Sequence, residues 1–168
     1  MLENPLFDRG FMPKAQHLLS GKFSGVDVKI FNYQYEKLER DTEDRYWRTA
    51  VAFSITQKQV PDFYLRPWQP GERFLEKNPI DFREDPQFSK KYFLTGSNAE
   101  NVRALFGERQ REVLKEIKRK WAIAAANGYL VMYADEMMNE EVKPDPEAIR
   151  EYLEQALVIF KELTSERN

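Results

Sequence analysis

His17 is the single histidine of the chain, and cysteine is absent. A Ser–His–Asp triad would have to use His17, because the triad needs a base poised near neutral pH. No G-x-S-x-G sequence presents a serine to it. The missing cysteines remove thiol catalysis, disulfides and thiolate-held zinc or iron–sulfur centres. Only oxygen ligands then remain for a metal. Two acidic groups invite that reading: Glu39, Asp41, Glu43 and Asp44, and Asp135, Glu136, Glu140 and Glu141. Neither has the spacing that wraps calcium, and acidic runs in connections are ordinarily solvated. Glycosidase-type hydrolysis needs two carboxyl groups across a cleft. Asp81 and Glu84 are the candidate pair, since Phe82 and Phe88 offer a desolvating neighbourhood that would raise a carboxyl pKa. The competing reading has both acids capping turns around Pro79 and Pro86. The seven glycines are scattered and form neither G-x-G-x-x-G nor a P-loop, so no nucleotide cofactor is expected, and no cofactor of any kind is assigned.

The other chemical feature is basic. Arg109, Arg111, Lys115, Lys118, Arg119 and Lys120 crowd one predicted helix. Helical spacing puts Arg111, Lys115, Lys118 and Arg119 near one face, a candidate contact for an anionic surface. Cations late in a helix also complement its dipole, and the interleaved Glu108, Glu112 and Glu116 can pair with them at helical spacing. A solvated, self-paired face is the expected reading; the competing reading gives it an anionic partner, a membrane surface first and an acidic protein second. Nucleic acid is not expected, because the net charge is -2 and supplies no global basic field.

The elements that must position these groups follow from hydrophobic period. Residues 1–20, punctuated by Pro5, Gly10 and Pro13, read as an irregular segment, and residues 21–165 as one α+β domain. Gly21 to Tyr35 reads as a strand through Val26, Val28 and Ile30, with a change of phase at Phe31. EKLERDTED reads as a long charged connection, and Arg45 to Thr56 as the antiparallel partner. Pro61 to Trp68 and Tyr92 to Thr95 are shorter strands, with loop between them and one helical turn over Arg73 to Lys77. Ser97 and Glu100 fit a capping box for a helix that Gly107 ends in the left-handed region. A second helix spans Glu108 to Lys120. Asn127–Gly128 between apolar runs predicts a two-residue type I′ hairpin. Asp145–Pro146 opens a final helix whose Ile149, Leu153, Ala156, Leu157, Phe160 and Leu163 share one face.

Several phrases carry a family resemblance: GKFSGVDVKIFNYQY, PDFYLRPW, PQFSKKYFLTG followed by NVRALF, and AANGYLVMY. Over residues 18–163 their order resembles a family of uncharacterised bacterial proteins, common in cyanobacteria. The resemblance implies membrane tethering, because many such chains carry transmembrane helices before this domain. It implies no activity and no site residues.

The expected fold is α+β: a mainly antiparallel sheet of about five to seven strands, two helices inserted before a final hairpin, and an amphipathic C-terminal helix packed on the sheet. The start, MLENPLFDRGF, lacks the regions of a signal peptide, and no stretch approaches the length of a membrane span. A cytoplasmic setting is expected, with membrane association if the sequence belongs to a longer chain. The expected function is a non-enzymatic binding or scaffolding module of a bacterial cell, at the membrane face in the tethered case. The alternative is a carboxylate-dependent hydrolase with an aromatic-lined cleft.

Overall fold

The computed structural model describes residues 11–39, 42–55, 60–68, 78–134 and 145–165. The chain is α+β. Seven strands among the described residues form one sheet in the order β1-β2-β3-β7-β6-β4-β5. They are β1 (Phe11–Phe23), β2 (Val26–Glu39), β3 (Thr42–Ser54), β4 (Phe63–Pro67), β5 (Tyr92–Gly96), β6 (Trp121–Ala126) and β7 (Tyr129–Ala134). Every pairing is antiparallel. Helix α1 (Pro86–Lys91) precedes β5, α2 (Ala99–Leu105) and α3 (Glu108–Glu116) follow it, and α4 (Pro146–Thr164) closes the chain.

The final hairpin follows its sequence closely. Ala126 pairs with Tyr129, and Asn127 and Gly128 take φ of 53° and 76°, the two positive values a type I′ turn demands. The same geometry occurs at Ser24 and Gly25, with φ of 48° and 81° between paired Phe23 and Val26. That turn divides the single strand expected over Gly21 to Tyr35. It also brings residues 11–20 into β1, where an irregular segment was expected; residues 1–10 lie outside the described residues. The alternation of β1 is concealed because its register shifts between Phe11 and Lys14 and again between Gln16 and Leu19. As an edge strand it leaves Leu18 and Leu19 exposed. His17 lies within β1.

The long acidic connection is shorter than expected. β2 and β3 stay paired down to Glu39 and Thr42, and the register sets Glu36 opposite Arg45 and Lys37 opposite Asp44. The acidic loop at 135–144 and the helical turn expected over Arg73 to Lys77 fall outside the described residues.

The four helices of the described residues all pack on one face of the sheet. Val51, Phe53, Leu65, Ile123, Leu130 and Met132 point to that face and meet Phe88, Val102, Phe106, Leu114, Leu157 and Ile159. Phe53 stacks on Phe160 with ring centres 4.6 Å apart. Tyr152 anchors α4 more specifically: its hydroxyl donates to Thr49 O and accepts the Ala134 N–H at 2.8 Å. The opposite face has a floor of small residues, Ala50, Ala52, Ala122 and Ala124, beside Phe31, Tyr33 and Tyr133, all buried. Among the described residues, no helix is long and apolar enough to cross a membrane.

Candidate functional site

The groove at the β5 edge is assembled from three sources. β4 ends at Pro67 and delivers Trp68, whose N–H donates to Lys91 O at 3.1 Å. The loop before α1 is hung on β5 by Ile80 N–H donating to Leu94 O at 2.7 Å. α1 supplies Pro86, Ser89 and Lys90. Together Trp68, Pro79, Asp81, Phe82, Arg83, Pro86, Ser89 and Lys90 line an open groove of about 380 Å³.

The polar atoms behind the groove wall are engaged internally. The Trp68 indole N–H donates to Ser89 O at 3.0 Å. The Ser89 hydroxyl accepts the Phe82 N–H at 2.9 Å and donates to Phe82 O at 3.4 Å. The serine is therefore a loop fastener, bonded on both sides to one backbone residue. The Trp68 ring meets Phe93 edge-on at 5.0 Å, and Arg66 lies over the same Phe93 ring at 4.7 Å.

Helix α1 exists because Asp85 and Pro86 start it. The Asp85 carboxylate accepts the Phe88 N–H at 3.1 Å, and proline at the first helical position loses no hydrogen bond. The same D-P start predicts α4, and at Asp85–Pro86 it marks a helix where loop is expected from the surrounding prolines. The caps of α4 and α2 differ in detail: Asp145 makes no side-chain cap bond, and Asn98 rather than Ser97 caps α2 by accepting the Asn101 N–H at 3.0 Å. Gly107 takes φ of -61° as the N-cap of α3, so it opens that helix and is not left-handed.

Asp85 is also the centre of a buried charge cluster. Its Oδ2 accepts from Arg111 Nε at 3.1 Å and from Lys115 Nζ at 3.0 Å. Arg111 further donates to Phe106 O at 2.8 Å, lies 3.4 Å from Glu84 Oε1, and stacks 4.4 Å from the centre of the Phe82 ring. Burial acts to raise the Asp85 pKa, but the bonds from Phe88 N–H, Lys115 and Arg111 together outweigh it and hold the carboxyl below its ordinary range. The cluster thus keeps Asp85 anionic at neutral pH under the groove loop, and Arg111 backs Phe82.

This arrangement corrects the expected basic face. The Arg111 side chain is 7% exposed and Lys115 is largely covered, both turned toward Asp85. Lys118 projects outward at 77% exposure, 3.5 Å from Glu151, and Arg119 lies half-buried 5.8 Å from the centre of the Tyr152 ring. The four residues do not form one exposed surface. α3 ends at Glu116, short of Lys120, because neighbours take its last carbonyls: Lys91 Nζ donates to Leu114 O at 3.3 Å and Lys115 O at 2.9 Å, and Tyr92 OH donates to Leu114 O at 3.0 Å.

The expected carboxylate pair is also divided. Asp81 lines the groove, whereas Glu84 sits on Arg111 and is not among the lining residues. Among the described residues no group of three or more metal-ligating side chains converges. The residues that sequence reasoning missed are Trp68, Arg83, Ser89 and Lys90; the proline-led phrases PDFYLRPW and DPQFSKK contain three of them. No family model matches the chain, and no curated protein or solved structure does.

Proposed function

We propose that this chain is a non-enzymatic binding module of a bacterial cell, and that the groove between Trp68 and Phe82 receives a short extended segment of a partner protein. The groove itself supports this reading most. Its volume, about 380 Å³, suits a site that takes a few side chains. Its lining includes the Trp68 indole and two prolines, Pro79 and Pro86, a lining like those on which extended, proline-rich segments dock. Such a lining offers apolar contact, and its Ser89 hydroxyl is bonded to Phe82 on both sides. The hydrolase alternative is weaker, because Asp81 is the one acid among the described lining residues and Glu84 is occupied by Arg111. The bacterial setting rests on the resemblance of the phrases quoted above, which also implies a place at the membrane face.

The test is a display library of random segments of about ten residues, panned in parallel on the wild-type protein and on Trp68→Ala. Segments enriched on wild type and lost on the variant support the groove. Equal enrichment on both proteins contradicts it.

A further inference from the structure

We propose that the segment held in this groove is acidic, with carboxylates placed to meet Arg83 and Lys90; this rests on the groove reading above. The charge count around the groove is the reason. Among the described residues, the acids behind it are ion-paired: Asp85 with Arg111 and Lys115, Glu84 with Arg111, and Glu112 with Lys115 at 2.7 Å. Arg83 and Lys90 line the groove, are exposed, and have no ion-pair partner among the described residues. Asp81 is the one opposing charge in the described lining.

A second observation points the same way. Lys91, next to Lys90, has its pKa lowered, first by burial and then by the positive charges of Lys120 and Lys115. Three bases, Arg83, Lys90 and Lys91, thus stand at or beside the groove in a chain whose net charge is -2. A flat bilayer would reach the rim of such a groove without entering it. An acidic segment with aromatic or proline residues satisfies both the walls and the rim, and Asp81 selects a hydroxyl or amide donor between its carboxylates. Rim charges of this kind act mainly on the rate of encounter and on partner choice, and salt screens them.

The experiment sequences the segments enriched on wild type and measures their affinity for wild type and for Arg83→Glu/Lys90→Glu. Both substitutions are at exposed positions, and an unchanged unfolding midpoint verifies the fold. The expected result is enrichment of acidic segments, binding that weakens as salt rises, and a loss of affinity of about tenfold or more in the double variant. Segments without acidic bias, or enriched in bases, would overturn the inference, as would affinity unchanged in the double variant. If those segments still fail to bind Trp68→Ala, the groove stands and only its charge preference falls. If nothing is enriched on wild type over Trp68→Ala, the groove reading itself fails, and the acidic occupant with it.

Discussion

Arg111 donates its Nε–H to the buried carboxylate of Asp85 at 3.1 Å, joining the middle of α3 to the N-cap of α1. Through that bond a helix far along the chain fixes the loop that carries the groove. The same guanidinium lies against Phe82, so the cluster supports one wall directly. Removing one member of a buried ion pair leaves an uncompensated charge, which ordinarily costs about 3–5 kcal/mol. Arg111→Ala should therefore lower the unfolding free energy by about 3 kcal/mol, since Lys115 still meets Asp85. Denaturant unfolding read by circular dichroism measures the difference. A loss below about 1 kcal/mol, the range of ordinary surface changes, would show that the cluster does not hold α1 to α3.

The cluster also sets an acid limit. The folded state holds the Asp85 carboxyl below its ordinary pKa of 3.8. Its contribution is therefore fully present above that ordinary value and is lost as pH falls through the lower folded value. Urea midpoints measured from neutral pH down to about pH 3 should fall more steeply for wild type than for Asp85→Asn, which can still accept the Phe88 N–H. Parallel curves for the two proteins would remove Asp85 from the acid response.

Gly96, the last residue of β5, has no room for a side chain. A Cβ there would lie 2.6 Å from Val102 Cγ2 and 2.7 Å from Asp62 O. The backbone oxygen cannot swing away as a flexible side chain would, so the strand must shift from α2 and from the start of β4. Gly96→Ala should cost about 2 kcal/mol, within the usual range for overpacking. Thermal unfolding that leaves the midpoint unchanged would mean the β5–α2 corner relaxes freely.

The parts of the fold legible in the sequence are those set by local rules. Asn127–Gly128 gives its hairpin because two positive φ values are affordable there and at few other dipeptides. Asp145–Pro146 and the three-and-four spacing of Leu153, Ala156 and Leu157 give α4. β1 was hidden because its alternation is broken at two register shifts, and Ser24–Gly25 sat unrecognised inside what looks like one strand. The site was less legible. Helical spacing places Arg111 and Lys115 on one face, but whether that face is wet or buried depends on α1, a six-residue helix in a segment that prolines mark as loop. Once Asp85 stands as the N-cap of α1, the two cations have a buried acid to meet. Trp68 and Lys90 are 22 positions apart in the sequence, and only the pairing of β4 with β5 brings their segments together.

Trp68 supplies the most direct report on the central claim, because its indole N–H donates to Ser89 O behind the groove wall. Trp121 provides an internal reference: it is fully buried beneath Tyr152, away from the groove lining. A segment selected on the wild-type protein should be titrated into the isotope-labelled chain while the indole and amide resonances are followed by NMR. The account predicts that the Trp68 indole signal and the amides of residues 79–90 move in proportion to occupancy, with the Trp121 indole unmoved. Largest shifts at β1 or along α4, with Trp68 and residues 79–90 unchanged, would contradict the assignment of this groove as the binding site.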